Sequence, residues 1–435
     1  MVDPMVYGDA GNSYTFKLYD HGQNQELDLT SPEAITFTEN GYGNVFTPYV
    51  LNFTGDATQT YTLPIAGYGN SAGGYCLIAP PVDNVDPATI TGMTDGDYDL
   101  YYFDQGENEE WRNYEAEPFN LFSGKGYLYA HKTDVTLSFT GTPYSGNGQV
   151  VLSKTEGTPF SGWNLVGNPF PQAATIDRDC YVMKADGTEI IAGNTNSVSA
   201  MQGIFVIASE DGETMTFSPE NTVDEGSRIV VDVLQGRSPV AIDRAIVRFE
   251  DNGTLPKFML NPDNTKIYIP QDGTDYAVVG HSRDNVTPVS FKASQDGSYT
   301  LSFDWVNLDL DYLHLVDNKT GEDVDLLALR QAQGPVNYTF EASTTDYAER
   351  FMLVYANTTG VNESDKPFAY YMDGEIRLFE AEKGASLQMV DMTGHIVVSQ
   401  SGRIQCVSTD GLTSGVYMLR LINGDDVKVQ KIVVR

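Results

Sequence analysis

A serine between glycines is the first feature of this sequence that could do chemistry. Ser71 lies in the stretch 69–73, which matches the G-x-S-x-G pattern of a nucleophile elbow. That elbow needs a strand before the serine and a helix after it. The residues that follow, GYCLIAPP, predict a strand that runs into prolines. The overlapping stretch 67–72 imitates a dinucleotide fingerprint but also lacks the following helix. We therefore predict a glycine-rich turn and no catalytic residue.

Three aspartates at alternate positions could hold a calcium ion. Asp95, Asp97 and Asp99 have the spacing at which an EF-hand loop begins. That loop requires glycine at its sixth position and glutamate at its twelfth, where this chain has Leu100 and Gly106. A turn held by aspartate side chains is favoured, and a looser Ca²⁺ site at the three carboxylates is left open. No other cofactor is predicted.

The aromatic residues offer a different chemistry, stacking on sugar rings. Trp111, in NEEWRNYE, has charged neighbours and is the candidate for an exposed stacking residue. Trp163, in GWNLVG, lies in an apolar strand, and we expect it in the core. The five histidines have no partner at metal-ligand spacing. Among 60 acidic residues, nothing singles out a pair for glycoside hydrolysis.

Charge restricts the classes of partner. The chain has 60 acidic and 26 basic residues, a formal net charge of −34 and a pI near 4.2. Such a field repels nucleic acid and anionic membranes. No stretch approaches the ~20 apolar residues of a spanning helix, so membrane insertion is not expected. Cys76, Cys180 and Cys406 are too few for a disulfide framework, although a bridge between the first two is left open.

These candidate residues would have to be positioned by β-strands. The 435 residues include 41 Gly, 20 Pro and 26 Tyr, which is typical of many short strands joined by tight turns. Strand-like alternation in 1–60 indicates an N-terminal β segment. The fold class is therefore all-β, with several antiparallel sandwich or jelly-roll domains in tandem.

A repeat occupies residues 61–225. GGYCLIAPPVDN (73–84) is similar to SGWNLVGNPFPQ (161–172), and Asp-flanked and Gly-aromatic strands follow each copy. We interpret this as a duplicated β unit with repeats at about 61–145 and 146–225. The prolines of NPFP predict a turn.

The next block, 226–357, contains eight predicted strands: RIVVDVL, AIVRFED, KIYIP, YAVVG, YTLSFDW, YLHLVD, YTFEA and RFMLVYA. Their spacing predicts a sandwich or jelly roll. One short helix is predicted at 325–333. The polar stretch 358–367 is predicted to be a linker.

The final block, 368–435, predicts a small Ig-like sandwich of seven strands. Its recognisable strands are EIRLFEA, SLQMVDM, HIVVSQ, VYMLRLI and KVQKIVV, separated by turns that contain EKG, MTGH, TSG and NGDD.

This block resembles the C-terminal sorting domain of the type IX (Por) secretion system. LQMVDMTGHIVV (387–398), LTSGVYMLRL (412–421) and VKVQKIVV (427–434) carry the resemblance. The family often opens with Pro-Asn-Pro, whereas this chain has KPFAYYMDG. The sorting-signal residues that the resemblance implies are Asp391, Gly394, Gly415, Val416, Tyr417 and Lys431.

The resemblance implies export from a Gram-negative bacterium and recognition by its outer-membrane secretion machinery. It also implies peptidase cleavage within 357–370 and display on the cell surface. Met1–Pro4 lacks the basic and apolar regions of a signal peptide, so we expect the natural N-terminus to lie upstream.

The function predicted for the chain is a non-catalytic surface stalk that carries its own sorting signal. Most of residues 60–357 resembles stalk and adhesin-like regions of the same class of surface proteins. The resemblance is carried by GWNLVGNPFP (162–171), the GKGYLY strand, and LHLVDNKTGEDVDL followed by YTFEA and RFMLVYA. Two alternatives are left open. One is an adhesin that binds a host or environmental glycan or protein, and the other is a set of accessory domains of an upstream hydrolase.

Overall fold

The computed structural model confirms the all-β fold class: its described residues form 35 strands, one α-helix and one 3₁₀ helix. No helix in that part of the chain is long and apolar enough to cross a membrane. Ser71, the linker 358–367 and most of the predicted cleavage stretch lie outside the described residues. The structure describes residues 13–14, 17–20, 25–29, 35–36, 53–54, 58–69, 74–219, 226–236, 238–249, 253–280, 286–333, 336–356, 368–372, 374–391, 394–424 and 426–434.

The N-terminal segment contributes two small antiparallel sheets, β1 with β4 and β2-β3-β5. Their strands are β1 (Ser13–Tyr14), β2 (Lys17–Asp20), β3 (Gln25–Leu29), β4 (Ile35–Thr36) and β5 (Phe53–Thr54).

The two sequence repeats share the strand order of one four-stranded sheet, whereas their other sheet has two strands in the first repeat and four in the second. The first contains β6 (Gln59–Ile65), β7 (Cys76–Ile78), the 3₁₀ helix (Pro87–Thr89), β8 (Tyr98–Phe103), β9 (Trp111–Asn113), β10 (Tyr127–His131) and β11 (Val135–Gly141). The second contains β12 (Gln149–Val151), β13 (Trp163–Gly167), β14 (Ala174–Ile176), β15 (Tyr181–Met183), β16 (Ile190–Ala192), β17 (Ser197–Val198), β18 (Gly203–Ile207) and β19 (Thr214–Ser218). The sheet β7-β10-β8-β9 corresponds to β13-β18-β15-β16, and the ladder β6–β11 corresponds to β12–β19. The boundaries that we draw between the units stay predictions.

Alternation along the strands explains each repeat's core. In β11, Leu137 and Phe139 are fully buried, while Ser138 between them and the threonines on either side face outward. The NPFP turn is held by the buried side chain of Asn168. Its amide group donates to the carbonyls of Gln172, Val198 and Ser199, and its oxygen accepts from the Phe170 N–H.

The next block is one continuous folded sheet with a helix. Its elements are β20 (Arg228–Gln235), β21 (Asp243–Arg248), β22 (Leu255–Pro256), β23 (Lys266–Gln271), β24 (Thr274–Gly280), β25 (Val286–Lys292), β26 (Gly297–Val306), β27 (Tyr312–Asp317), β28 (Glu322–Asp325), α1 (Leu326–Gln333), β29 (Val336–Ala342) and β30 (Phe351–Ala356). The strand order is β28-β27-β30-β25-β23-β24-β21-β20-β26-β29, with β22 beside β24. All eight predicted strands and the predicted helix are present.

Part of this sheet is buried on both faces. We call this folded sheet with its helix the sandwich. Ile229, Val231 and Val233 point into the core between its two halves. Val230 and Ile246 point the other way, into a second core shared with the duplicated unit. The repeats and the sandwich therefore pack as successive layers.

An aromatic cluster forms the centre of that shared core. The Phe258 ring from the sandwich stacks on Trp163 of the second repeat, with centroids 4.2 Å apart. The Tyr181 hydroxyl donates to the Pro256 carbonyl (3.0 Å) and accepts from the Phe258 N–H (2.9 Å). Phe103 of the first repeat completes the cluster against Phe258 at 6.5 Å.

The described residues of the last block form five strands rather than the predicted seven. They are β31 (Ala369–Met372), β32 (Glu375–Val390), β33 (Ile396–Ser408), β34 (Gly415–Asn423) and β35 (Asp426–Val434). EIRLFEA and SLQMVDM, predicted as two strands, are one strand that bends at Gly384 (φ +82°) opposite Gly402 (φ +108°). Because β32 and β33 run through both layers, fewer strands build the sandwich. We call its layers the inner sheet (β31 with the early half of β32 and late half of β33) and the outer sheet (the remaining halves with β34 and β35).

This block has a hydrophobic core of its own, in which Ile376, Leu387, Met389, Leu419 and Ile432 are among 14 buried residues. A smaller cluster, which we call the seam, joins the inner sheet to the sandwich. The seam's buried members are Val316, Met352, Val354, Tyr370 and Met372, with Tyr312 and Phe379 packed against them.

Candidate functional site

The register of the last block places the six predicted sorting residues at one end of the outer sheet. Val390, beside the Asp391 turn, pairs with Met418 near the start of β34. Met418 in turn pairs with Lys431, and Gly415 pairs with Val434 near the end of β35. Residues separated by up to about 40 positions in the sequence therefore meet at one edge of the fold.

The Asp391 turn is fixed by backbone and side-chain hydrogen bonds. The Gly394 N–H donates to the Asp391 carbonyl (3.0 Å), and the His395 N–H donates to the Asp391 carboxylate (2.9 Å). Gly394 has φ of +91°, a left-handed conformation that favours glycine. Asp391 therefore stabilises the turn through its carboxylate, and Gly394 allows the left-handed conformation that the turn requires.

Tyr417 anchors the start of β34. Its ring is buried in the core, and its hydroxyl donates to the Thr413 carbonyl four residues upstream (2.7 Å). A buried tyrosine whose hydroxyl returns to nearby backbone fixes the path of the chain into its strand. Gly415 is different: an added Cβ would meet only ordinary contacts at 3.9 Å. The surroundings of Gly415 therefore leave room for a larger side chain such as alanine.

Val416 and Lys431 are the two predicted residues that point outward. Alternation in β34 turns Tyr417, Leu419 and Leu421 inward and leaves Val416 on the outer surface. Lys431 is exposed on β35, between the inward-facing Gln430 and the buried Ile432.

Gln430 is a structural residue that the sequence interpretation missed. Its side-chain oxygen accepts from the N–H groups of Phe368 (2.7 Å) and Ala369 (2.9 Å), and its amide donates to the Ala369 carbonyl (2.6 Å). It thereby ties β35 to β31. A glutamine at an inward position of the alternating strand VKVQKIVV was the available signal, because buried polar groups need partners.

Thr409 closes the same domain near the chain's entry into it. Both its N–H and its hydroxyl donate to the Gly374 carbonyl, at 2.7 and 2.6 Å.

Comparison with known proteins agrees with this geometry. Residues 374–435 match the family described as the secretion system C-terminal sorting domain. They form a type IX sorting domain. No curated protein matches the chain. The match begins after β31, yet β31 pairs with residues 375–378 of β32, so this strand belongs to the same sheet as the matched residues. The sorting domain marks the chain as a secreted cell-surface protein that interacts with type IX machinery.

Upstream of the sorting domain, the three aspartates of the calcium interpretation lie in a turn and in the strand that follows it, and a looser Ca²⁺ site there stays a prediction. The Asp97 N–H donates to the Thr94 carbonyl (3.0 Å) in a turn that contains Gly96 (φ +77°), and the Asp97 carboxylate lies 3.3 Å from Lys132 Nζ. Asp99 lies in β8. Within the described residues, no three His, Cys, Asp or Glu side chains form a group that could hold a metal ion, and Asp95, Asp97 and Asp99 are all described. The turn explains their spacing.

The structure corrects the expected exposure of Trp111, whereas a stacking role for its ring stays a prediction. Trp111 is half-buried, and its ring packs edge-on against Phe103 (5.4 Å) and Phe205 (6.1 Å) at the margin of the aromatic cluster. The charged residues around it occupy the adjoining turn, so they do not report the ring's surroundings. Trp163 is buried, as expected.

The cysteines are free thiols. Cys76 is partly buried and donates to the Tyr129 carbonyl, Cys180 is buried, and Cys406 is exposed. Burial raises the pKa of Cys76 and of Cys180 to about 12. Cys76 and Cys180 are not bridged in this structure.

Proposed function

We propose that residues 58–356 are a non-catalytic stalk that the sorting domain carries to the surface of a Gram-negative bacterium. The observation that carries the proposal is the continuous packing from the first repeat to the seam. Phe103, Trp163 and Phe258 bring three units into one aromatic cluster, and Tyr312 and Phe379 extend the packing into the sorting domain. Layers joined by apolar cores resist bending, which a display stalk requires.

The use of the buried charges supports a non-catalytic role. Asp317 binds Arg350 through two hydrogen bonds (3.0 and 2.7 Å), and Asp243 binds Lys257 Nζ at 2.6 Å and also accepts from the Ile267 N–H at 2.7 Å. Both of these buried carboxylates are committed to an ion pair and to neighbouring hydrogen-bond donors. These ion pairs connect neighbouring strands, and their carboxylate oxygens are already occupied, so they are poorly placed to act as a general acid or base.

Export by the type IX route is tested in hosts with and without the system. We expect the full chain to reach the surface or medium only in the competent host, and a chain that ends at residue 367 to remain in the periplasm. A reporter fused to residues 358–435 controls for damage that truncation causes at the seam, and it should also be exported. A fusion that stays in the periplasm of the competent host contradicts the proposal.

One group of exposed residues favours the adhesin as a second candidate. Tyr68 and Tyr75 are exposed tyrosines of the first repeat. Burial raises the pKa of Tyr75, and the neighbouring Asp99 and Tyr101 raise it further, so these side chains lie close together. Tyr75 also lines a groove of about 410 Å³ beside the second repeat. Aromatic rings with adjacent polar groups suit a saccharide.

The adhesin candidate is tested by glycan-array binding of the full chain. We expect Tyr75→Ala to remove any signal, whereas Tyr347→Ala, at an exposed tyrosine of the sandwich, should leave it unchanged. Binding that survives Tyr75→Ala would place the ligand elsewhere.

A further inference from the structure

The outer sheet of the sorting domain presents an open face with an unusual composition. Alternation turns every second residue of β34 and β35 outward, and cross-strand pairing sets Met418 beside Lys431, Arg420 beside Val429 and Ile422 beside Val427. We call these six residues the open face. Val427 and Val429 are 43% and 44% exposed. Ile396 of β33, 54% exposed, pairs with Val390 and extends the apolar surface across two more strands.

The open face carries positive charge in an acidic protein. Arg420 and Lys431 are both exposed, and none of the six residues is acidic. Residues 374–435 contain seven basic and seven acidic residues, so the whole formal charge of −34 belongs to residues 1–373. Residues 374–435 are therefore neutral overall, and the open face is locally cationic.

Among the described residues, this face stays exposed while the opposite face of the domain is packed. The outward side chains of the inner sheet, among them Tyr370 and Phe379, pack in the seam against Tyr312 of the sandwich. In the full chain the inner sheet is therefore occupied by the protein's own body. The open face lies on the other sheet, which remains available to a partner.

The size of the face fits a short-lived contact. Strands about 4.8 Å apart with a rise of about 3.3 Å per residue make a four-stranded patch of roughly 300–400 Å². Stable complexes bury about 800 Å² on each partner. A contact of half that size can be formed and released, as a transport signal must be.

Resting on the proposed function, we infer that the open face is the surface by which a protein of the secretion machinery recognises the sorting domain. The partner presents an apolar patch with carboxylates that face Arg420 and Lys431. A partner protein fits better than an anionic membrane, since the acidic body is repelled by such a membrane. The open face also has no tryptophan or tyrosine of the kind that anchors proteins at lipid interfaces.

The inference is tested by charge reversal in the full chain. Arg420→Glu with Lys431→Glu should lower the exported fraction at least tenfold in the competent host. Arg403→Glu is the matched control, because Arg403 is an exposed cation of the same domain that lies outside the open face. Arg420→Lys with Lys431→Arg, which keeps the charge, should export normally. All variants should unfold thermally within a few degrees of the parent, because the substituted residues are exposed.

Further arms separate the remaining outcomes. Normal export of the doubly reversed variant, with export still dependent on residues 368–435, overturns this inference and leaves the proposed function intact. Equal losses in the Arg403→Glu control also overturn it, since total charge would then matter rather than the face. Should the reversed pair unfold early, Val429→Thr tests the apolar part of the face, and normal export of that variant counts against the inference. Sedimentation of the parent with phosphatidylglycerol vesicles, lost on charge reversal, would assign the face to lipid.

Discussion

Replacing Arg350 with methionine should destabilise the sandwich and change the way its stability depends on pH. Asp317 and Arg350 are 1% and 3% exposed at their side chains. The Asp317 carboxylate also accepts from the Tyr338 hydroxyl (3.0 Å) and the Lys319 N–H (2.9 Å). Arg350 packs over the Phe340 ring at 4.5 Å. The substitution keeps much of this packing but leaves a buried carboxylate without its cation.

The expected loss is about 3–5 kcal/mol, the usual cost of removing one partner of a buried ion pair. With a urea dependence of about 2 kcal/mol per molar, the transition of the sandwich should move down by roughly 1.5–2.5 M. Asp317→Asn in the Arg350→Met background should recover part of the loss, because it removes the unpaired charge. Arg330→Met is the control: that arginine is exposed, 3.6 Å from Asp304, and its removal should cost less than about 1 kcal/mol.

The pH dependence of the stability difference separates loss of the ion pair from packing damage, because packing damage alone would not change with pH. Burial by itself would raise the pKa of Asp317, but the hydrogen bonds and charge of Arg350 outweigh burial and hold that pKa below its usual range. In the parent this contribution is complete above about pH 4 and is lost as the pH falls through the lowered pKa. In Arg350→Met, burial dominates and the pKa rises. The stability difference between parent and variant should therefore shrink as the pH falls from 7 to 5.

Urea unfolding followed by tryptophan fluorescence, at pH 7 and pH 5, measures both effects. Trp305 lies in β26 of the same sandwich and reports its unfolding. A loss no larger than that of Arg330→Met, or a difference that is unchanged between the two pH values, would refute the reasoning.

Three further outcomes are expected. Gln430→Leu should cost about 1–3 kcal/mol through lost buried hydrogen bonds and speed amide exchange in β31, and unchanged exchange would contradict the tie between β35 and β31. Tyr417→Phe should cost about 1 kcal/mol in thermal unfolding, whereas Gly415→Ala should leave stability within about 0.5 kcal/mol; an equal loss in both would contradict the assignment. At pH 8 a thiol reagent should label Cys406 much faster than Cys180, whose thiol pKa is raised to about 12 by burial, and equal rates would exclude that burial.

The strands that the sequence predicted have either clear apolar alternation or a continuous apolar run, such as FMLVYA of β30. Two of the strands that it missed lack both signals. Strand β28 is almost entirely acidic, EDVD, and pairs only with β27. Strand β25 contains Pro288, which argues against a central strand. The structure accommodates this proline in the half of β25 that pairs with β30 alone, since the β23 pairing starts at Ser290. Neither case could be decided from local sequence, because the neighbouring strand determines what the position tolerates.

The strand count of the sorting domain was wrong for a related reason. Gly384, in EKG, adopts a left-handed conformation, which suits a tight turn and a β-bulge equally well. The sequence predicts a glycine with positive φ and does not reveal whether the chain reverses or continues. In the structure it continues, because β33 follows β32 through the bend with register shifts on both sides of it.

The residues of the candidate site could be predicted from the sequence, but which of them are buried and structural and which are exposed could not. The resemblance supplied Tyr417 and Lys431 together, yet the structure gives the first a buried anchoring role and the second an exposed one. Trp111 shows the opposite limit: its polar neighbours suggested exposure, and a contact with Phe205, 94 positions away, buries one side of the ring. Distant contacts of this kind carry no local signature.

The relation between the sorting domain's core and its seam determines what a transport machine would find. The domain's own cluster contains 14 buried hydrophobic residues, whereas the seam contains five, of which only Tyr370 and Met372 come from the domain. Because burial contributes about 1.5–3 kcal/mol for each large side chain, most of the stabilisation comes from the domain's own core. The domain can therefore fold as a unit before it docks on the sandwich. Docking then covers the inner sheet and leaves the open face of the outer sheet exposed for recognition by the secretion machinery.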